Sequence, residues 1–317
     1  MSKSDFVAAG QATAFLADYF NSGPVDVTLI GEGAWSRCFG FRHSGADLAV
    51  RFGKHVEDFR KDELAAAYAT PDLPVPAMLA VGPAFDGYFA ISQRAYGMPL
   101  ENVSPDEWLH VVPGVVALLE AMRAADISAT TGFGGWDAAG RGSHATWSSH
   151  LLAVAEHSPE HRTYGWRDRL AEVPAGEEAF AWGLALLEAV VSDDIPRGLT
   201  HCDLINRNVL TDGSRITAVF DWGCSRYGDP LYDLAWFEFW APWLPNLDMP
   251  LLRMGLQARW DAVGYVPADF ERRLMACHLH IGLDHLGYNA FVGDHETLLA
   301  TAARMRALVA EGVGAWT

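Results

Sequence analysis

Hydrophobic and polar positions change rhythm along the chain. In the opening stretch "MSKSDFVAAGQATAFLADYF", Phe6, Ala9, Thr13, Leu16 and Phe20 recur at steps of three and four, which predicts one face of a helix. "VTLIGEGAWSRCFGFR" then reads as strand, Gly-containing turn and strand, and "DLAVRFG" as a further strand. A helix is expected over "EDFRKDELAAAYA", a Pro-punctuated connector over "PDLPVPAML" and another strand over "YFAISQRAYG". Antiparallel strands interrupted by one helix make a small α+β lobe. Beyond Gly97 the pattern turns helical. "SPDEWLHVVPGVVALLEAMRAAD" has Ser104 at the cap and Glu107 at the capping-box position, while Pro113 is expected to kink or split the helix. The Gly-rich stretch 129–145 reads as a loop, and helices are expected near 146–157 and 176–193. A hairpin turning at Asp212-Gly213 follows, and helical segments run on to the C-terminus. The lobes divide near residues 95–100, giving 1–96 as the smaller and 97–317 as the larger, mainly helical one.

Composition narrows the partners. The net charge is −17, from 40 acidic residues against 23 Lys and Arg, which speaks against nucleic acid or an anionic membrane surface. It suits a cationic small molecule, although on charge alone the plain solubility of an acidic cytoplasmic protein accounts for it better. Cys38, Cys202, Cys224 and Cys277 lie far apart without a C-x-x-C pair, so neither a zinc knuckle nor a disulfide framework is expected and the compartment reads as cytoplasmic. The N-terminal stretch lacks the clean apolar core of a signal peptide. "LYDLAWFEFWAPWLP", with Asp233, Glu238 and Pro242, is too short and too charged to span a bilayer. A monomer is expected.

The chemistry concentrates in "GLTHCDLINRNVLTDGSRITAVFDWG", residues 198–223. His201, Asp203 and Asn208 form H-x-D-x-x-x-x-N, and Asp221 follows a short hairpin. Phosphoryl transfer from ATP needs such a set. One carboxylate, Asp203, orients the acceptor hydroxyl and takes its proton. Asn208 and Asp221 offer the hard oxygen ligands that Mg²⁺ prefers. A polar loop whose Asp and Asn bond their own backbone is the alternative; it accounts for Asp212-Gly213 but not for this spacing between apolar strands. His201 reads as a support that bonds the loop backbone and holds Asp203. In "CHLHIGLDHLGY", His278 and His280 fall on different helix faces and His285 lies two turns from His278, so no chelate is expected.

This segment, followed in order by "YGDPLYDLAWFEFWAPW" and "IGLDHL" and preceded by "PDLPVPAML", "AADISATTGFG" and "HATW", resembles the aminoglycoside phosphotransferase family over most of the chain. The resemblance implies a two-lobed protein-kinase-like fold with ATP, or GTP, in the cleft together with Mg²⁺. It implies transfer of phosphate to a hydroxyl of an aminoglycoside of the hygromycin type or a related cationic small molecule, and a part in antibiotic resistance. Asp203 becomes the catalytic base, Asn208 and Asp221 the metal ligands, and "GEGAWSR", with Gly31, Gly33 and Ser36, the nucleotide loop. Where the family carries Lys on the third strand this chain has Arg51, with Asp62 or Glu63 as its acidic partner. Arg207 precedes Asn208 and either contacts phosphate or pairs with a surface acid. Main-chain groups of Gln93, Arg94, Ala95 and Tyr96 would read the nucleotide base at the hinge.

For the acceptor, Asp126, Asp233, Glu238 and Asp284 are the candidate carboxylates, with Asp233 favoured, and Trp240 a candidate wall; Trp236, Trp240 and Trp243 read first as core residues. Asp229-Pro230 reads as a turn bracing the metal loop. Side chains in "WFEFW" and "LDHLGYN" depart from the resemblance, so a sugar, amino alcohol, macrolide or peptide antibiotic stays open as acceptor. A catalytically idle nucleotide-binding module is the alternative of a different class.

Overall fold

The computed structural model describes residues 7–313. Helix α1 (Ala9–Phe20) opens it and buries Ala12 and Leu16, with Phe15 half-buried. The expected face is met in part: Leu16 is buried and Phe20 packs against the same core, while Ala9 and Thr13 are exposed and Phe6 lies outside the described residues. Aromatic bulk decides the rotation, because Phe15 packs 5.3 Å from Phe52 and 4.8 Å from Phe89 between ring centroids, contacts that small Ala9 and Thr13 cannot match.

Next come β1 (Val25–Glu32), β2 (Ser36–His43), β3 (Ala46–Gly53), α2 (Val56–Ala65), β4 (Met78–Ala84) and β5 (Gly87–Gln93). The strands form one antiparallel sheet in the order β1-β2-β3-β5-β4. The two-residue strand period sorts β3: Leu48, Val50 and Phe52 enter a core with Phe39, Phe41, Phe89 and Ile91, and Arg51 points the other way. That alternation delivers a guanidinium to the face where the larger part of the chain packs.

After β6 (Met98–Pro99), α3 (Pro105–Arg123) begins on the expected capping box: Glu107 N–H donates to Ser104 Oγ at 3.2 Å, and Ser104 N–H to Glu107 Oε2 at 2.7 Å. The helix runs through Pro113 unsplit. Val111, Val112, Val115 and Val116 are buried around it, so packing offsets the lost backbone bond.

Residues expected as a loop form instead a hairpin of β7 (Phe133–Trp136) and β8 (Gly142–His144). Close approach explains its glycines: a Cβ on Gly142 would stand 2.5 Å from the Phe133 nitrogen. Then follow α4 (Trp147–Leu152), shorter than expected, α5 (Trp166–Ala171), which the pattern did not suggest, and α6 (Pro174–Val190). β9 (Gly198–Thr200), β10 (Val209–Thr211), β11 (Ile216–Val219) and β12 (Arg226–Gly228) lead to α7 (Leu231–Trp240), α8 (Met249–Val263), α9 (Phe270–Val292) and α10 (His295–Val313). Two small sheets, β11-β10-β6 and β8-β7-β12-β9, sit on this helical body. Its core contains the fully buried Trp108, Trp147, Trp222, Tyr227 and Tyr232. Among the described residues no helix is long and apolar enough to cross a membrane.

Candidate active site

The β10–β11 hairpin carries Asn208 and Asp221 at its two ends. Val209 pairs with Val219, and the Phe220 N–H donates to the Asn208 carbonyl at 3.1 Å, so Asn208 and Asp221 leave the hairpin side by side. Asp221 takes the left-handed backbone conformation at φ 65°, as do Cys202, Asn206 and Arg207 at φ 65°, 70° and 67°. Such conformations are costly outside glycine and gather where the surroundings dictate them.

Asp203 lies in the loop before the hairpin. Its Oδ1 accepts from Asn206 Nδ2 at 2.6 Å and its Oδ2 from Asn208 Nδ2 at 3.0 Å. Burial, then the charge of Asp221, pushes its carboxyl up to about 8 against the opposing bonds from Asn206 and Asn208. Asn208 Nδ2 also donates to the Asp203 carbonyl at 2.8 Å, which commits the amide nitrogen and leaves the amide oxygen free to accept. The His201 Nε2 donates to the Phe220 carbonyl at 3.1 Å, next to Asp221. Burial pushes that imidazole down to about 4, so it is neutral and tethers the two limbs of the site.

Arg51 pairs with Asp62 and reaches Asp221 Oδ1 at 3.2 Å. Asp62, rather than Glu63, is thus its partner, because Glu63 is held by Arg60 at 2.6 Å. The other Asp62 oxygen accepts the Trp222 N–H at 2.8 Å.

Arg51, Asp62, Asn206, Asn208 and Asp221 edge a cavity of about 740 Å³ between the sheet and the helical body, and Asp203 stands behind that lining, bonded to Asn206 and Asn208. Gly31, Gly33, Ser36, Arg51, Gln93, Arg94, Ala95, Tyr96, Asn208 and Asp221 all line it. The Gly33 N–H bonds the Ser36 carbonyl at 2.9 Å and closes the turn between β1 and β2. Sequence reasoning missed the apolar lining, Ala49, Met78, Leu210 and Phe220, whose strand alternation was the available signal. It also missed Glu101, which accepts the Arg207 backbone N–H. The Arg207 side chain is exposed at the cavity and forms no ion pair among the described residues. Asn208 and Asp221 fit Mg²⁺: the amide oxygen and the half-exposed carboxylate are hard donors on one wall of the cavity.

The expected acceptor residues divide. Asp233 is 1% exposed and accepts the backbone N–H groups of His201 at 2.9 Å and Cys202 at 2.7 Å. It braces the catalytic loop from inside, and both oxygens are taken, which corrects its reading as the favoured substrate carboxylate. Glu238 pairs with Arg253 at 2.7 Å and His278 at 3.2 Å, joining α7 to α8 and α9 instead of facing a ligand. Asp126 accepts the Ser128 N–H at 3.0 Å in an exposed turn after α3 and is not at the cavity. Asp229 caps α7 through the Leu231 N–H at 2.9 Å and forms a buried fork with Arg273 at 2.6 and 2.8 Å.

Asp284 remains available. Its side chain is half exposed and its nearest cation, Arg226, stands 3.9 Å away. Tyr288 lies one turn on along α9, and burial, then the nearby Asp203 carboxylate, raises its phenol, so this helix face looks toward the loop that carries Asp203. Beside it, Trp240 packs 4.7 Å from His285 and 5.3 Å from the exposed Trp243, while Trp236 is buried behind them.

The profile of the phosphotransferase enzyme family (APH) matches residues 29–267. The chain belongs to this family. Hygromycin-B 4-O-kinase of Escherichia coli is 31% identical over 316 residues, a stretch covering 98% of this chain and 88% of that protein. A crystal structure of a thermostable mutant of aminoglycoside phosphotransferase APH(4)-Ia, in ternary complex with AMP-PNP and hygromycin B, superposes with a TM-score of 0.81 at 32% identity, covering 95% of this chain and 99% of the other. A crystal structure of APH(4)-Ia itself gives 0.80 at 30% identity, covering 96% and 99%. The phosphotransferase thus has the kinase-like fold of its family, with an antiparallel sheet in the N-terminal part and helices dominating the rest.

Proposed function

We propose that this phosphotransferase moves the γ-phosphate of ATP to a hydroxyl of an aminoglycoside, hygromycin B or a relative, and so confers resistance in the cytoplasm. Residues 1–96 would grip the nucleotide, and 97–317 would supply the catalytic groups and the acceptor pocket. The observation that carries the reading is that Asn208 and Asp221, with Asp203 bonded to Asn208, meet at one cavity that Gly31, Ser36 and Arg51 also line.

In this mechanism Asp203 Oδ1 or Oδ2 accepts the proton of the acceptor hydroxyl and aims its oxygen at phosphorus. Its raised affinity for protons suits that task. Arg51 and the backbone N–H groups of the β1–β2 turn hold the phosphates, and main-chain groups from Gln93 to Tyr96 read the base. Asn208 and Asp221 would hold Mg²⁺, which when bound neutralises phosphate charge. Asp284 and the Trp240–Trp243–His285 wall would receive the acceptor's ammonium group.

One observation favours a second reading of the acceptor. Asp233, Glu238 and Asp126 are occupied by close partners of their own protein, whereas half-exposed Asp284 has only the loose ion pair with Arg226 at 3.9 Å. An amino alcohol or amino sugar with a single ammonium group matches that supply better than a polycation. Mass spectrometry of a mixed panel, incubated with enzyme, Mg²⁺ and either ATP or GTP, tests both readings. A phosphate adduct on hygromycin B supports the first, and an adduct confined to monoamines supports the second. Nucleotide binding without any adduct would leave an idle module.

A further inference from the structure

Lys61 stands one position before Asp62 on α2, and its ammonium reaches the residues that follow Asp221. Its Nζ donates to the Gly223 carbonyl at 2.7 Å and to the Ser225 carbonyl at 3.5 Å, and lies 5.7 Å from the centroid of the Trp136 ring. Among the described residues no carboxylate forms an ion pair with it, so a half-buried cation is satisfied by backbone oxygens and an aromatic face. The preceding contacts extend the same strap: Arg51 holds Asp221 and Asp62 holds the Trp222 N–H. Two adjacent helix residues and one strand residue therefore grip the segment from Asp221 to Ser225. That segment contains a non-glycine residue at φ 65°, a conformation that persists only under such restraint.

We infer that Lys61 is a positioning residue: by anchoring the Gly223 and Ser225 carbonyls it presents the Asp221 carboxylate to the cleft. This rests on the reading of Asp221 as a metal ligand. Simple attachment of α2 to the helical body does not require Lys61, because Arg162 already pairs with Glu57 at 2.5 Å and with Asp58 at 2.9 Å.

The test compares full-length Lys61→Met and Lys61→Arg with the parent enzyme below their melting temperatures. In enzyme free of nucleotide and metal, hydrogen–deuterium exchange over residues 221–226 should quicken about tenfold in Lys61→Met. The enhancement of ADP affinity by Mg²⁺ should shrink about fivefold while metal-free ADP affinity stays within roughly twofold, and kcat should fall roughly 10–100-fold. Lys61→Arg, which keeps charge and donors, should recover most of each value. Unchanged exchange and unchanged Mg²⁺ enhancement in Lys61→Met overturn the inference, as do equal losses in both variants. If Lys61→Met does not fold, Lys61→Gln, which can donate to one carbonyl, is read by the same criteria. Asp221→Asn separates the two ideas. Unaltered Mg²⁺ enhancement there removes Asp221 as a ligand, whereas loss there with none in Lys61→Met removes only the role of Lys61.

Discussion

Asp233 accepts the backbone N–H of His201 at 2.9 Å, and this bond ties α7 to the first residue of the catalytic loop. A carboxylate is used because two successive N–H groups, those of His201 and Cys202, need acceptors in a place that water does not reach. Asp233→Asn turns one acceptor into a donor aimed at an N–H. It should cost about 1–3 kcal/mol in chemical denaturation and lower kcat through a displaced Asp203. An unchanged midpoint and unchanged turnover would show that the loop holds itself.

Asp203→Asn keeps the shape of the site and removes its proton acceptor. Turnover should fall by about 10²–10⁴, with nucleotide affinity nearly intact, as read by steady-state kinetics alongside calorimetric titration. Parental turnover would strip Asp203 of the role of base.

Arg51 serves two acids at once, Asp62 and Asp221, in a buried position. Arg51→Met leaves Asp62 without its counter-charge and should cost about 3–5 kcal/mol of stability. Arg51→Lys supplies a point charge in place of a fork, so it should fold better than Arg51→Met and still raise KM for ATP. Equal melting temperatures for all three proteins would contradict the pairing.

His280 bonds the Tyr232 hydroxyl at 2.8 Å, and burial pushes its imidazole down from 6.5 to about 3. The unfolded chain therefore takes up a proton near pH 6.5 that the folded protein refuses until about pH 3. Stability contributed by the neutral form is present above 6.5 and is lost as the pH falls below it. Between pH 7.5 and 5.5 the parent should lose about 1.4 kcal/mol more than His280→Gln, measured by urea denaturation at both values. Parallel losses would mean that the buried imidazole titrates normally.

The catalytic loop and its hairpin were legible because their chemistry is local. H-x-D-x-x-x-x-N and the return of Asp221 depend on residues close in sequence, and Asp212-Gly213 marks the turn between them. Arg51 was reached through the resemblance, at the place where the family carries Lys, and strand alternation turns it away from Leu48, Val50 and Phe52. The acceptor carboxylates were misjudged because an acid on a helix looks the same whether it meets a ligand or its own chain. Asp233 finds its partners 32 and 31 positions away, and Glu238 finds Arg253 on the next helix. Residues 129–145 hid a hairpin because glycine weakens every local strand signal, and the pairing that rescues β7 comes from distant β12. Lys61 was invisible for the same reason, its carbonyl partner lying 162 positions on.

The hairpin between Asn208 and Asp221 works as a pair of callipers whose jaws are set by strand register. Lengthening the bend at Gly213 leaves the jaws where they are. A single residue inserted within Ile216–Val219 turns every later side chain to the opposite face, Asp221 included, and that jaw then closes on the core instead of the cleft. Variation among relatives should therefore be tolerated at the tip of this ribbon and forbidden along the arm that ends at Asp221.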